Sequence, residues 1–72
     1  MDEQVFRDIE EKWPSAVVSR QQVPAISGGA FSAKFMANMD SMGQGVKGRF
    51  RAGRAVVYPV KELLQWMKER SR

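Results

Sequence analysis

The segment from Ser27 to Tyr58 constrains the possible fold of this 72-residue chain more than any other part of the sequence. It reads SGGAFSAKFMANMDSMGQGVKGRFRAGRAVVY. Ser32 is a favourable N-cap for a short helix, and Gly43 is well placed to end that helix in the left-handed conformation. Two short runs of strand-forming residues then flank a glycine turn. The segment therefore predicts a turn, a helix over residues 33–42 and a basic hairpin over residues 49–58.

Hydrophobic spacing predicts a longer helix at each end of the chain. Near the N-terminus, apolar residues recur every three or four positions until Pro14, which ends the helix because a residue before proline avoids the helical region. This stripe consists of Val5, Phe6, Ile9 and Trp13. Pro59 suits the first turn of the last helix. We expect that helix to bury Val60, Leu63, Leu64 and Met67, with Trp66 partly covered. The positively charged residues at the C-terminal end of this predicted helix are Lys68, Arg70 and Arg72.

The segment between the first helix and the glycine turn is harder to interpret. Residues 16–18 are short, apolar and partly β-branched, which favours an extended conformation. Ser19 can cap a second helix, and Gln22 would complete a capping box. Pro24 opposes a regular helix, because an interior proline lacks an N–H donor and clashes with the preceding turn. We therefore expect a short or distorted helix that ends at Ile26.

Composition excludes several classes of protein. The chain has no Cys and no His, which excludes disulfides and a conventional zinc site, and this is compatible with a cytoplasmic protein. No apolar run approaches the length of a membrane span, and no secretory signal is visible. The acids Asp40, Glu62 and Glu69 form no obvious catalytic pair. We expect neither an enzyme nor a bound cofactor or metal.

Charge is unevenly distributed along the chain. Residues 1–13 carry five acids against two bases, a net charge of −3, whereas residues 14–72 carry ten bases against three acids, a net charge of +7. From Lys47 to Lys61 there are five positive charges and no negative ones. Such a block favours a polyanion as partner. We accordingly divide the chain into an amphipathic N-terminal helix, residues 1–13, and a basic body, residues 14–72.

In the order of its elements, the body resembles the small phage and mobile-element regulators of the AlpA and excisionase type, which share the winged-helix fold of MerR-like DNA-binding domains. The matching region runs from about Val17 to Met67. The closest local matches are Ser27–Gly29, Ser32–Gly43, Gly53–Pro59 and Leu63–Met67. The acidic helix over residues 3–13 has no counterpart in that family.

This resemblance implies a mainly helical α+β fold: a small winged helix-turn-helix with a two-stranded wing and an additional N-terminal helix. It implies that the recognition helix, residues 32–42, enters the major groove of double-stranded DNA and that the wing, residues 49–58, contacts the backbone or the minor groove. The residues implicated on the helix are Ser32, Lys34, Phe35, Asn38 and Ser41. Those on and before the wing are Lys47, Arg49, Arg51 and Arg54.

Where many relatives carry arginine in the middle of the recognition helix, this chain has Ala37 and Asn38. Base reading would then depend on few side chains, and Asn38 is the best candidate for a bidentate contact to adenine. The resemblance also implies an integrase or recombinase, or a second copy of the chain, as a further partner. It does not choose between control of excision and control of transcription.

Alternatives to DNA binding remain at this point. A small adaptor or inhibitor could use the same basic face to bind an acidic protein. Structured RNA would be favoured by aromatic side chains exposed on a sheet, but we expect Phe50 and Tyr58 to face the core. The N-terminal stripe is expected to pack on this domain, and the alternative is that part of it pairs with another chain.

Overall fold

A three-stranded antiparallel sheet and four α-helices make up the α+β fold that the computed structural model describes for residues 3–70. The helices are α1 (Glu3–Lys12), α2 (Val23–Ile26), α3 (Ala33–Ser41) and α4 (Val60–Arg70). The strands are β1 (Val17–Ser19), β2 (Phe50–Ala52) and β3 (Ala55–Pro59), and a single 3₁₀ turn (Arg20–Gln22) joins β1 to α2. Arg72, predicted to close the last helix, lies outside the described residues. No helix within residues 3–70 has the length and apolar character needed to cross a membrane.

Strand β3 lies at the centre of the sheet. It pairs with β2 to form the predicted hairpin, with Phe50 opposite Val57. It also pairs with β1, with Val18 opposite Tyr58. The hairpin was expected to stand alone as a two-stranded wing. The structure corrects this expectation, because the extended segment after α1 returns as a third strand along the hairpin.

The distorted second helix is confirmed, and the structure shows how the chain accommodates Pro24. The 3₁₀ turn ends at Gln22 and α2 starts at Val23, so the proline falls in the first turn of a new helix. A residue there needs no N–H donor for the helical hydrogen bonds. At the start of the 3₁₀ turn, the Ser19 N–H donates to Gln22 Oε1 at 3.1 Å.

Local chemistry sets both ends of α3 as predicted, to within one residue. Ser32 Oγ accepts a hydrogen bond from the Phe35 N–H at 3.0 Å, which satisfies one of the unpaired donors of the first turn. After α3, Gly43 adopts a φ of +73° and its N–H donates to Asp40 O at 3.1 Å. A residue with a Cβ atom would adopt this left-handed conformation only at a cost.

Helix α1 packs on the core with the middle of its apolar stripe. Phe6 is only 3% exposed, and Ile9 and Trp13 are partly buried against the same core. The Trp13 Nε1–H donates to Val17 O at 3.0 Å and so connects the end of α1 to β1. Val5, at 38% exposure, is the most exposed member of the stripe. The arrangement agrees with the interpretation that the stripe covers this domain's own core.

The core lies between the sheet and the helices, and two sequence-based expectations about it need correction. Trp66 was expected to be partly covered but is buried at 7% exposure. Phe50 was expected to face the core and is 50% exposed. Paired residues in an antiparallel sheet share a face, and Phe50 pairs with Val57. Tyr58, the next residue along β3, takes the core face, and alternation therefore places Phe50 and Val57 on the opposite face. There Val57, on the central strand, is buried at 8% exposure, whereas Phe50, on the edge strand β2, remains exposed.

Candidate nucleic-acid interface

Helix α3 presents one polar face to solvent. Lys34, Asn38 and Ser41 are exposed and follow one another at intervals of four and three residues, which places them on one side of the helix. Met36 and Met39 lie on the other side in the core, as the sequence predicts. The exposed face carries one positive charge, one amide, one hydroxyl and no acid.

The other two residues implicated on this helix have structural roles. The Ser32 hydroxyl caps α3, as described above. The Phe35 ring stacks on Phe31 at 5.7 Å between centroids and lies 6.3 Å from the ring of Trp66. Phe35 therefore leans towards α4, although part of its surface stays exposed. The polar face of α3 is thus limited to Lys34, Asn38 and Ser41.

Trp66, which contacts the rings of Phe31 and Phe35, also anchors the loop that follows α3. The indole Nε1–H of Trp66 donates to Gln44 O at 2.9 Å. Arg70 stacks its guanidinium over the Trp66 ring at 4.5 Å, and its Nη2 donates to the same carbonyl oxygen at 3.3 Å. One backbone oxygen thus holds α4 against the loop that leads from α3 to the hairpin.

A nearly buried carboxylate connects α3 with three other parts of the fold. The Asp40 side chain is 7% exposed, and its Oδ2 accepts hydrogen bonds from Arg20 Nη2 and from the Tyr58 hydroxyl, each at 2.7 Å. Arg20 Nε donates in turn to the Tyr58 oxygen at 3.1 Å. The second oxygen, Oδ1, is buried without a hydrogen-bond donor and lies 3.6 Å from Arg49 Nε. We call Asp40, Arg20 and Tyr58 the Asp40 network.

Burial and the hydrogen bonds of the Asp40 network shift the pKa values of Tyr58 and Arg20. Burial raises the pKa of the Tyr58 hydroxyl, and the hydrogen bond to Asp40 raises it further, whereas the one from Arg20 lowers it. The hydrogen bond to Tyr58 also raises the pKa of the Arg20 guanidinium. At neutral pH Tyr58 therefore keeps its proton and donates a hydrogen bond to Asp40, while Arg20 stays charged.

Gly45 makes room for this carboxylate. A Cβ atom at position 45 would overlap Asp40 Oδ1 and would also approach the Asp40 side-chain carbon and Cα. The loop after α3 can pass so close to the network only because residue 45 has no side chain.

The structure separates the four basic residues predicted on and before the wing. Arg51 and Arg54 are exposed on the hairpin. Arg49 is also exposed, but it is engaged within the domain, through Asp40 and through a hydrogen bond from its Nη1 to Val46 O at 3.4 Å. Lys47 lies elsewhere, in a cleft that it shares with acidic residues of α4. Only Arg51 and Arg54 of the four therefore lie together and outside any ion pair that the structure shows within residues 3–70.

A cleft of about 300 Å³ separates the hairpin from the 3₁₀ turn. Its lining consists of Arg20, Gln21, Arg51, Arg54, Ala55 and Val56. We call it the arginine notch. The sequence analysis did not implicate Arg20 and Gln21, because they lie outside the basic segment from Lys47 to Lys61. The available signal was a basic residue two positions after the segment predicted to be extended, residues 16–18.

The chain matches no protein-family model, no curated protein and no solved structure. The features that bear on its function are the exposed face of α3, the Asp40 network and the arginine notch.

Proposed function

We propose that this protein is a sequence-specific, double-stranded DNA-binding regulator of a phage or mobile element. In this proposal the 3₁₀ turn, α2 and α3 act as a helix-turn-helix, and β2 with β3 acts as its wing. The observation that carries the proposal is the Asp40 network. In this network Asp40 attaches α3 to Arg20. Helix α3 exposes Lys34 and Asn38, and Arg20 lines the arginine notch together with the arginines of the hairpin. The network thereby holds α3, the proposed recognition helix, in one unit with the arginines of the notch.

The physical basis of binding is common to duplex-binding proteins. Arginine and lysine side chains displace condensed counterions from the phosphates, which supplies affinity and makes it salt-dependent. These phosphate contacts set the register, and side chains on a helix in the major groove then read base edges. Asn38 is suited to a bidentate contact with adenine. One module of this size buries little DNA, so we propose that occupancy depends on paired sites, a second copy of the chain or a recombinase.

The test of this function is a comparison of ligands at one salt concentration. Fluorescence anisotropy should show tighter binding to duplex DNA than to single-stranded DNA, to a structured RNA or to an acidic polypeptide such as polyglutamate. Selection from a random duplex library should then enrich a defined site. Preference for RNA, or binding to polyglutamate as tight as to the duplex, would exclude the proposal in favour of the corresponding partner.

For the wing, we expect the double substitution Arg51→Ala, Arg54→Ala to weaken binding to all duplexes alike. The slope of log affinity against log salt should become shallower by about two, because each phosphate group that is no longer neutralised lowers it by about one. The control is Arg7→Ala with Lys12→Ala, which removes the same charge from exposed positions of α1. Equal effects of the two double variants would show that net charge matters and the wing does not.

For the recognition helix, Asn38→Ala should cost about 1–3 kcal/mol of binding free energy on the selected site and much less on random DNA. The neighbouring change Lys34→Ala should weaken binding to both DNAs together, because a phosphate contact carries no sequence information. Titrations of both variants against both DNAs make the comparison. Asn38 is not a base-reading residue if its substitution lowers both affinities equally.

A further inference from the structure

We propose that the arginine notch is a binding site for a single phosphate group of the DNA backbone, in which the Arg20 side chain is already oriented to donate hydrogen bonds to the phosphate. This inference rests on the proposed function, because it identifies which atoms of the DNA the cleft would hold. It adds Arg20 and Gln21, which the sequence did not implicate, to the contact surface.

The lining of the notch has the chemistry of a phosphate site. Arg20 and Gln21 come from the 3₁₀ turn, Arg51 and Arg54 come from the hairpin, and no acid is among the lining residues. The planar fork of an arginine matches two oxygens of a phosphate, and the Gln21 amide supplies a neutral donor. A volume of about 300 Å³ leaves room for a phosphate group together with water molecules.

Arg20 is already oriented for this role. Its Nε and Nη2 atoms each donate one hydrogen bond, to the Tyr58 hydroxyl and to Asp40 Oδ2. A guanidinium has five N–H donors, and the other three make no hydrogen bond within residues 3–70. The side chain is 24% exposed, so one edge is held by the network while the other stays accessible. A ligand would therefore bind without first ordering this long side chain.

The two walls of the notch differ in how they are held. Arg20 is fixed to α3 through Asp40, whereas Arg51 and Arg54 are exposed on the hairpin. A phosphate bound between the walls would contact the 3₁₀ turn and the hairpin at once, and the pairing of β1 with β3 already holds these two segments side by side. In this arrangement Asp40 is a positioning residue that acts through Arg20.

The first experiment follows the arginine Nε–Hε signals by NMR while inorganic phosphate is added at constant ionic strength, with chloride as the matched anion. We expect the signals of Arg20, Arg51 and Arg54 to shift together and to saturate. The signals of Arg7 on α1 and of Arg70, which stacks on Trp66, should stay in place. Small, unsaturated shifts spread over all the arginines would overturn the inference.

The second experiment uses two matched substitutions that alter charge without touching the Asp40 network. Gln21→Glu puts a carboxylate into the notch, and Gln4→Glu puts the same charge on the exposed N-terminal turn of α1. We expect Gln21→Glu to weaken duplex binding about tenfold and to make the salt slope shallower by about one. Gln4→Glu should change both quantities much less, and the melting temperature should confirm that both variants are folded.

Arg20→Lys keeps the positive charge but loses the planar fork, both towards a phosphate and towards Tyr58 and Asp40. Duplex affinity should therefore fall severalfold, and the melting temperature should show how much of that loss accompanies a weaker Asp40 network. If the wild-type protein binds duplex DNA and Gln21→Glu behaves like Gln4→Glu, the notch inference fails and the proposed function stands. If the wild-type protein binds no duplex, the proposed function itself fails.

Discussion

Replacing Phe6 with alanine should lower the free energy of unfolding by about 3–4 kcal/mol, which is most of the stability expected of so small a domain. Phe6 is 3% exposed and belongs to the same core cluster as Leu63 and Met67 of α4. The Lys68 ammonium also lies over its ring at 5.4 Å. Truncation would remove this packing and leave a cavity between α1 and α4. Urea and thermal unfolding followed by circular dichroism should show the loss directly.

The control for this prediction is the adjacent residue of the same helix. Val5 is 38% exposed, so Val5→Ala should cost less than about 1 kcal/mol. Sedimentation of the Phe6→Ala and wild-type proteins separates two explanations of the stripe. An unchanged melting temperature for Phe6→Ala, together with loss of a dimer, would show that α1 pairs two chains instead of completing one core.

The second large effect is expected at Asp40. Asp40→Ala should destabilise the protein by about 3 kcal/mol, because it leaves the Arg20 charge and the Tyr58 hydroxyl without their acceptor in a largely buried site. The value is at the low end for a buried pair because the Arg20 side chain, at 24% exposure, can turn towards water. Asp40→Asn, which keeps the shape and one acceptor oxygen, should fall between the wild type and Asp40→Ala. Urea unfolding of the three proteins gives the comparison.

Two further variants show whether this loss comes from the network. Glu10→Ala removes an exposed acid of α1 and should change stability by no more than about 0.5 kcal/mol. A double-mutant cycle between Asp40→Ala and Tyr58→Phe should give a coupling energy of about 1 kcal/mol or more, since the two side chains share a hydrogen bond of 2.7 Å. If Asp40→Ala costs no more than Glu10→Ala, the network does not hold α3 to the sheet.

Features that depend on neighbouring residues could be derived from the sequence alone. Ser32 caps α3 by bonding to an N–H three residues away, and Gly43 ends the same helix through its own backbone conformation. The irregular helix around Pro24 and the separation of Met36 from Lys34 on opposite faces of α3 are local in the same sense. They follow from capping, dihedral preference and helical period, which act within about one turn of helix.

Only the tertiary structure decided the features that join distant segments. Strand β1 finds its partner about forty residues away, where Val18 pairs with Tyr58. Arg20 reaches Asp40, and together with Gln21 it meets the hairpin arginines at the notch. The exposure of Phe50 likewise depends on the sheet, because Phe50 pairs with Val57 on the face opposite Tyr58 and lies on the edge strand β2. Hydrophobic period and capping residues carry no information about which distant segments come together. The sequence therefore determined the helices and the overall charge, whereas the packing of the chain determined which charges meet.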